Sequence, residues 1–366
     1  MHAIGIIGLG AMGLASAWAA SRRGIAVIGF DRFSRGHARG SSHGATRMIR
    51  RIYSEGALYN ELLDRAFALW PEIEAAAGTR IFLSSGGMDI ATADSPFMAG
   101  VRRAARASGQ IHEVIDANGL RQRCPALDIA DDLLAVHAHG SGYLLSETAN
   151  AAMAHLAETD GADLHWDCAV TAIDPLDHGF RLHTTGGAFN VERVIVAAGP
   201  WGGQLHAGLD AALTVERQVI GLFDGPDNVP PFQRVFPDGR RIYALPNGTG
   251  GRWKLGVYHH REQCGPQYRR SLPVDDIDRA MLAEAVKAVL PDCPPPDAYE
   301  ICRFTNTADH RFILDMAADG SVLVAACSGH GYKFAPAIGE AAVALAMGEP
   351  PRVDLSGFTL ARQTKL

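Results

Sequence analysis

An apolar strand, a glycine-rich turn, a helix and a second strand open this chain, and their order restricts the fold more than any other feature. Residues 3–7 (AIGII) predict a buried strand, residues 11–22 predict a helix, and residues 25–30 predict a second strand. A strand, a helix and a further strand form the unit from which doubly wound α/β sheets are built. The chain is therefore expected to begin with an α/β domain.

The turn inside this unit has the spacing of a dinucleotide fingerprint. Gly8, Gly10 and Gly13 form G-x-G-x-x-G, and Asp31 follows the second strand. The glycines allow a tight turn and a close backbone approach to a pyrophosphate, while an acidic residue at this point can bind the ribose hydroxyls. The unit predicts a dinucleotide site, but NAD and FAD share this fingerprint.

Composition excludes several other classes of protein. With 366 residues, of which 47% are hydrophobic and 20% charged, the chain is expected to form two globular domains. A net charge of −6, with RMIRR (47–51) as the one tight basic cluster, gives no basis for a nucleic-acid partner. The apolar start is interrupted by glycines and lacks a basic leader, so neither a signal peptide nor a membrane span is expected.

Cysteine and histidine spacing predicts neither a disulfide framework nor a metal site. The six cysteines contain no C-x-x-C pair, which favours reduced thiols and a cytoplasmic location. The pairs HAH (137–139) and HH (259–260) have no evident supporting ligands in the sequence. No metal is therefore expected.

Two later segments repeat the strand-and-glycine theme. RVIVAAGPW (193–201) predicts a buried strand that ends near Gly199, and CSGHGYKF (327–334) lies between a predicted strand (321–327) and a predicted helix (335–349). A glycine turn before a helix N-terminus suits an anion, although a packing turn with one surface lysine has the same pattern. The proline-rich segment 291–300 is expected to connect two domains.

Four motifs in order give a more specific resemblance. GSSHGATRMIRRIY (40–53), RIYALPNGTGGRWKLGVYHH (241–260), ICRFTNTADHRFILD (301–315) and CSGHGYKF resemble the monomeric sarcosine oxidase and N-methyltryptophan oxidase family, within the D-amino-acid-oxidase-like flavoproteins. The similarity extends from residue 3 to about residue 358, nearly the whole chain.

The resemblance implies an α/β (α+β) fold with two domains. A Rossmann-like FAD-binding domain of the glutathione-reductase type would comprise residues 1–82, 140–215 and 302–366. A mixed-sheet substrate domain would comprise residues 83–139 and 216–301. The family also suggests a monomer.

The resemblance further implies the roles of individual residues. Arg50 and Lys333 would bind a substrate carboxylate, and Lys254 would lie beside the flavin and promote its reaction with oxygen. Tyr243 would line the substrate site together with His259 or Tyr258, of which His259 is the expected residue. Arg47 would lie by the flavin ring, and its spacing from Arg50 would place both on one face of a helix.

The implied cofactor is FAD, attached covalently through Cys302. The other expected cofactor contacts come from the dinucleotide fingerprint, the first basic motif and the glycine turns: Gly8, Gly10, Gly13, Asp31, Ser41, His43, Thr46, Arg47, Gly199, Gly329, His330, Gly331 and Lys333. A cysteine in such a segment is more often a small buried hydrophobe, so this assignment rests on the resemblance alone.

The implied activity is oxidation of a secondary amino acid that has a free carboxylate, with molecular oxygen reduced to hydrogen peroxide. A flavin dehydrogenase with another electron acceptor, or an NAD-dependent dehydrogenase, would also account for the fingerprint. A non-catalytic flavin-binding protein would not need the pair Arg50 and Lys333.

Overall fold

The computed structural model describes residues 2–259 and 273–365. Its strands are β1 (His2–Ile7), β2 (Val27–Phe30), β3 (Thr46–Ile49), β4 (Phe82–Leu83), β5 (Met88–Thr92), β6 (His112–Asp116), β7 (Leu133–Ala138), β8 (Gly142–Leu145), β9 (Asp163–His165), β10 (Val170–Pro175), β11 (Phe180–Thr184), β12 (Gly187–Val196), β13 (Leu213–Asp224), β14 (Phe232–Val235), β15 (Arg241–Pro246), β16 (Arg252–Val257), β17 (Ala298–Thr307), β18 (Ile313–Met316) and β19 (Val322–Ala325). Its α-helices are α1 (Ala11–Ser21), α2 (Asn60–Ala77), α3 (Pro96–Ser108), α4 (Ala117–Arg123), α5 (Ser146–Thr159), α6 (Ala207–Ala212), α7 (Asp276–Val289) and α8 (Ala335–Ala346).

The first large sheet contains the N-terminal βαβ unit. Strands β9, β2, β1, β12 and β19 run parallel in that order, β18 pairs antiparallel with β19, and the β10–β11 hairpin extends from β12. Helices α1, α2, α5 and α8 form one apolar core with this sheet. Strands β2 and β19 are buried at every position. A parallel strand that is covered on both faces is typically apolar along its whole length, as these two strands are.

The second large sheet is mixed and has the order β17-β13-β16-β15-β14-β5-β7-β6. Strand β14 pairs parallel with β5, whereas the other neighbours are antiparallel. Helix α7 covers part of this sheet through Leu282 and Val286, which belong to the same apolar cluster as Phe223 and Leu255. The expected α/β fold with a second, mixed sheet is confirmed.

Most predicted elements are present, with two exceptions in type. The strand predicted over residues 193–201 is the end of β12, after which residues 199–204 form a 3-10 helix. The helix predicted around Arg47 is wrong, because residues 46–49 form β3 and pair antiparallel with β8. A third sheet, β3-β8-β4, thus carries the first basic motif.

The connections between sequence segments also differ from expectation. The proline-rich segment 291–300 links α7 to β17. Strand β17 belongs to the second sheet and α7 packs on that sheet, so the segment connects two elements of one part of the fold rather than two domains. The expected boundaries at 215/216 and 301/302 fall within β13 and β17. These two strands pair along their length, so the chain passes between the two parts through continuous β-structure.

No helix of the described residues is long and apolar enough to span a bilayer.

Candidate active site

The larger of two neighbouring cavities, about 410 Å³, lies where the strands of the first sheet end. Several expected cofactor residues line it: Gly8, Gly10, Asp31, Ser41, His43 and Gly199. Gly8 has a φ of +91°, and a Cβ atom there would lie 2.6 Å from the carbonyl oxygen of Ala197. Only glycine fits this turn.

Helix α1 begins directly after this turn, and its packing depends on Gly13. A Cβ atom on Gly13 would lie 1.8 Å from the carbonyl oxygen of Gly8, so the third glycine allows helix and turn to touch rather than lining the cavity itself. The backbone N–H of Ala11 donates to Ser42 Oγ at 2.9 Å. The N-terminus of this 11-residue helix thus faces a cavity bordered by small polar residues, which favours a bound phosphate.

Asp31 fixes the second side of the turn. Its Oδ2 accepts from the backbone N–H of Leu9 at 2.8 Å and its Oδ1 from that of Phe33 at 3.0 Å. Its carboxylate therefore lies in the cavity wall where the dinucleotide fingerprint expects a ribose contact.

Three buried polar atoms in the wall of the larger cavity lack a hydrogen-bond partner among the described residues. They are Ser41 Oγ, Trp166 Nε1 and Thr305 Oγ1. Buried polar atoms are nearly always hydrogen-bonded, so these three are suited to contact a polar ligand. Together with the glycine turn and Asp31, they fit a dinucleotide such as FAD.

The smaller cavity, about 90 Å³, shares Ser41, Cys327 and Tyr332 with the larger one. It brings together most of the residues expected to act on the substrate or the flavin: Arg47, Arg50, Tyr243, Lys254, Cys302, Gly329, His330, Gly331 and Lys333. These residues come from five separate stretches of chain. Their convergence makes this cavity the candidate active site.

Arg47 lies in β3 and is held by the backbone. Its guanidinium donates to the carbonyl oxygens of Thr46 at 2.8 Å, Ser41 at 3.2 Å and His43. Thr46 itself is buried and donates through Oγ1 to the carbonyl of Pro246 at 2.8 Å. Arg47 therefore fixes the motif that follows Ser41, while part of it remains on the cavity wall.

Lys254 points inward and is only 2% exposed. Its ammonium donates to the carbonyl oxygen of Thr46, which connects β16 to β3. Burial, together with repulsion from Arg47, lowers the pKa of Lys254 to about 7. This lysine can thus carry a charge inside the cavity and change that charge near neutrality.

Arg50 follows β3 and is held by two carboxylates. Its NH1 lies 3.0 Å from Asp89 Oδ1 and its NH2 lies 2.7 Å from Glu55 Oε1. Although burial opposes the charge, Glu55 and Asp89 raise the pKa of Arg50 above its ordinary value. Sequence reasoning missed both carboxylates, since neither belongs to a motif that indicates a role.

Lys333 is 6% exposed and donates to the carbonyl oxygen of His330 at 2.7 Å. Burial, together with repulsion from Arg50, lowers its pKa to about 7. Gly331 makes the preceding turn possible, because a Cβ atom there would lie 1.8 Å from the carbonyl oxygen of Ala326. The two glycines of CSGHGYKF are thus explained by the turn, with Gly329 at a φ of +71°.

His330 is held between Tyr53 and the turn that precedes β18. Its Nδ1 is hydrogen-bonded to the Tyr53 hydroxyl, and its Nε2 lies 3.3 Å from the carbonyl oxygen of His310. Burial, together with Lys333, lowers the pKa of His330 to about 3. The imidazole is therefore neutral and adds no charge to the cavity.

Cys302 lies in β17, is 4% exposed and is a free thiol. Burial raises its pKa, although Arg47 acts in the opposite direction. Its sulfur lies 3.8 Å from the carbonyl oxygen of Arg303, and the sulfur of Cys327 lies 4.0 Å from the same oxygen. His43 Nε2, 3.0 Å from the carbonyl oxygen of Ile301, connects the first motif to this strand.

Tyr258, not His259, lies on the wall of the smaller cavity. His259 is exposed, has a φ of +53° and pairs through Nδ1 with Glu216 at 2.9 Å. The ring of Tyr258 packs 5.0 Å from that of Tyr243. The residue expected to line the cavity, His259, is therefore corrected to Tyr258. Strand β16 ends at residue 257, and in the turn that follows it the His259 side chain points outward.

Outside the cavity, Glu113 lies beside His137 and His139, and their ligand atoms are all within 4.8 Å of one another. The expectation that this His-x-His pair lacks a supporting ligand is wrong, because cross-strand pairing brings Glu113 opposite His137. Arg123 also donates to Glu113, which places a positive charge beside this cluster and disfavours a cation. His260, the other histidine considered, lies outside the described residues.

Comparison with known proteins identifies the family. A family model described as FAD dependent oxidoreductase (DAO) matches residues 3–345. The chain belongs to this family. It is thus an FAD-dependent oxidoreductase, and the expectation from the four motifs is confirmed at this level.

Among its relatives, the monomeric sarcosine oxidase of Streptomyces avermitilis is 33% identical over 93% of this chain and 92% of its own length. The N-methyl-L-tryptophan oxidase of Citrobacter koseri is 31% identical over 98% of each chain. The fold is also that of NikD, an unusual amino acid oxidase essential for nikkomycin biosynthesis (TM-score 0.87, 22% identity, 98% of this chain and 97% of that one). Glycine oxidase from Geobacillus kaustophilus is similar as well (TM-score 0.82, 22% identity, 99% of each chain).

The low pKa of Lys333 predicts how small carboxylates bind. A carboxylate in this cavity should bind about ten- to a hundredfold more weakly at pH 9 than at pH 6, because Lys333 loses its charge as the pH rises through about 7. Titration of the FAD-loaded protein with methoxyacetate, an unreactive ether, would measure this. Binding of methoxyacetamide should not follow the same curve.

Lys333→Met should remove this pH dependence, whereas Lys254→Met should retain it although Lys254 also titrates near pH 7. A pH profile that persists in the Lys333 variant would assign the titration to another group.

Proposed function

We propose that this FAD-dependent oxidoreductase is an oxidase of secondary amino acids, either N-methylated or cyclic, that transfers the electrons to molecular oxygen. The main support is that two buried cations, Arg50 and Lys333, line a small cavity directly beside a cavity that fits a dinucleotide. Glu55 and Asp89 balance Arg50, whereas Lys333 forms no ion pair among the described residues, and a buried cation is costly unless an anion balances it. The relatives named for sarcosine and N-methyl-L-tryptophan oxidation support the same substrate class.

Bound FAD would supply the two-electron acceptor for this reaction. The turn at Gly8 and Gly10, the N-terminus of α1 and Asp31 would hold its dinucleotide part, and Cys302 would attach it covalently. Ser41 and Thr305 offer the unpartnered hydroxyls described above.

Positioning is the main task of the protein groups in the smaller cavity. Arg50 and Lys333 would bind the substrate carboxylate, while Tyr243 and Tyr258 form the wall against which the amine end packs. The substrate gives up two electrons and two protons as its C–N bond becomes an imine. Water then hydrolyses the imine, and oxygen takes up the electrons and protons as hydrogen peroxide.

The proposed partners are a small amino acid and oxygen. We infer that the protein acts as a monomer in the cytoplasm, as its free cysteines and the family resemblance suggest. The alternative function for the same site is that of a dehydrogenase, which passes the electrons to an acceptor other than oxygen.

Peroxide release tests the function directly. The purified FAD-loaded protein should release one hydrogen peroxide per oxygen consumed with at least one member of a panel of sarcosine, N-methyltryptophan, pipecolate and proline. The corresponding N-methyl amides, which lack the carboxylate, should be poor substrates. Turnover only with an artificial electron acceptor would support the dehydrogenase, and absence of turnover with every amino acid would exclude the proposed substrate class.

Covalent attachment through Cys302 predicts that FAD stays with the polypeptide after acid precipitation. Cys302→Ala should release it into the supernatant, whereas Cys327→Ala, which removes the neighbouring thiol, should not. Yellow colour in the wild-type supernatant would show that the cofactor is held without a covalent bond.

Lys254 is proposed to promote the reaction with oxygen. Lys254→Met should slow the reaction of the reduced protein with oxygen by about a hundredfold or more, since removal of one stabilising group from a dry site has effects of this size. Stopped-flow absorbance measures this rate, and the rate of reduction by substrate and the FAD content serve as checks. The matched control is Lys287→Met on the exposed face of α7. Unchanged oxygen reactivity in the Lys254 variant would assign this lysine a structural role through Thr46.

A further inference from the structure

Arg241 shares a carboxylate with Arg50 at the edge of the smaller cavity. Glu55 Oε1 lies 2.7 Å from Arg50 NH2 and 2.8 Å from Arg241 NH2. Arg241 also donates to Gln233 Oε1, and its guanidinium lies 4.8 Å from the ring centre of Tyr258. Although burial opposes ionisation, Arg50 and Arg241 hold the pKa of Glu55 well below its ordinary value.

The strand register of the second sheet determines where Arg241 lies. Asp89, Gln233 and Tyr243 lie opposite one another on three neighbouring strands, so they share one face of the sheet. Arg241 is two residues before Tyr243 in β15 and lies on the same face. The Gln233 side chain bridges Asp89 and Arg241, since its amide nitrogen donates to Asp89 and its amide oxygen accepts from Arg241.

The charges of this network do not cancel. Arg50, Arg241 and Lys333 supply three positive charges, and Glu55 and Asp89 supply two negative charges, which leaves one positive charge when Lys333 is protonated. All four of the other groups influence the pKa of Lys333, so the five act as one electrostatic unit. His330 is neutral. A single carboxylate would balance the unit.

We infer that Arg241 is a positioning residue that sets this charge: it shares Glu55 with Arg50 and so keeps one net positive charge in the unit for a substrate carboxylate. Without Arg241, the Glu55 carboxylate would pair with Arg50 alone, and the unit would have no net positive charge to attract an anion. This inference rests on the proposed function, since it assumes that Arg50 and Lys333 receive a carboxylate. Arg241 itself is not among the residues that line the cavity.

Charge-restoring variants of the FAD-loaded protein test this role. The dissociation constants of methoxyacetate and methoxyacetamide would be measured through the change in flavin absorbance or by calorimetry at pH 6.5. Arg241→Gln should weaken methoxyacetate binding by about ten- to a hundredfold and change methoxyacetamide binding little, because one charge is lost from the unit. Arg241→Lys, which keeps the charge, should bind methoxyacetate nearly as the wild type does.

The double variant Arg241→Gln with Glu55→Gln decides between charge and packing. It restores the excess of one positive charge, with Arg50 and Lys333 against Asp89, and should recover most of the lost methoxyacetate affinity. If Arg241 served only to pack against Tyr258 and Gln233, the second substitution would give no recovery, and that result would overturn the inference. Equal loss of acid and amide binding in Arg241→Gln would overturn it as well.

The same measurements separate this inference from the proposed function. Arg50→Gln should abolish the preference for the acid over the amide. If wild-type protein showed no preference for methoxyacetate, the carboxylate site itself would be wrong. If wild type and Arg50→Gln behaved as expected while Arg241→Gln matched the wild type, only the role of Arg241 would fail.

Discussion

The hydrogen bond from the buried ammonium of Lys254 to the carbonyl oxygen of Thr46 joins the second sheet to the strand that carries Arg47. The hydroxyl of Thr46 adds a second connection, since it donates to the carbonyl oxygen of Pro246. These two bonds hold β3 against β15 and β16, which contribute Tyr243, Leu245 and Lys254 to the lining of the smaller cavity. A short strand, β3, thereby holds residues from both parts of the fold in one place.

Burial then determines how the cations that line the smaller cavity behave. Lys254 and Lys333 are both nearly inaccessible, and desolvation brings the pKa of each to about 7. Arg50 keeps its charge because two carboxylates balance the cost of burial. The site can therefore contain two lysines whose charges respond to a ligand and one arginine whose charge does not, a division that follows from lysine's single ammonium and arginine's high intrinsic pKa.

The sequence predicted the parts of this structure that depend on local patterns. The glycine turn, α1 and the buried strands follow from apolar runs and from the few conformations that such glycines allow. The helix expected from the spacing of Arg47 and Arg50 is wrong. Residues three apart suit one face of a helix, but here Arg47 lies in a strand and Arg50 is the residue after that strand. Their common cavity arises because Arg50 lies beyond the end of β3, not because they share a helical face.

The carboxylates around Arg50 could not have been found from local patterns. Glu55 is close to Arg50 in sequence but lies in a turn without a motif, whereas Asp89 meets Gln233 and Arg241 only through the register of β5, β14 and β15. Segment 230–241, which contains several prolines and arginines, forms β14 and the turn into β15. A one-residue shift in that pairing would turn Gln233 and Arg241 to the opposite face and leave Glu55 with Arg50 alone. The net charge of the unit around Arg50 is therefore a property of strand register, which tertiary structure fixes and which no single motif in the sequence records.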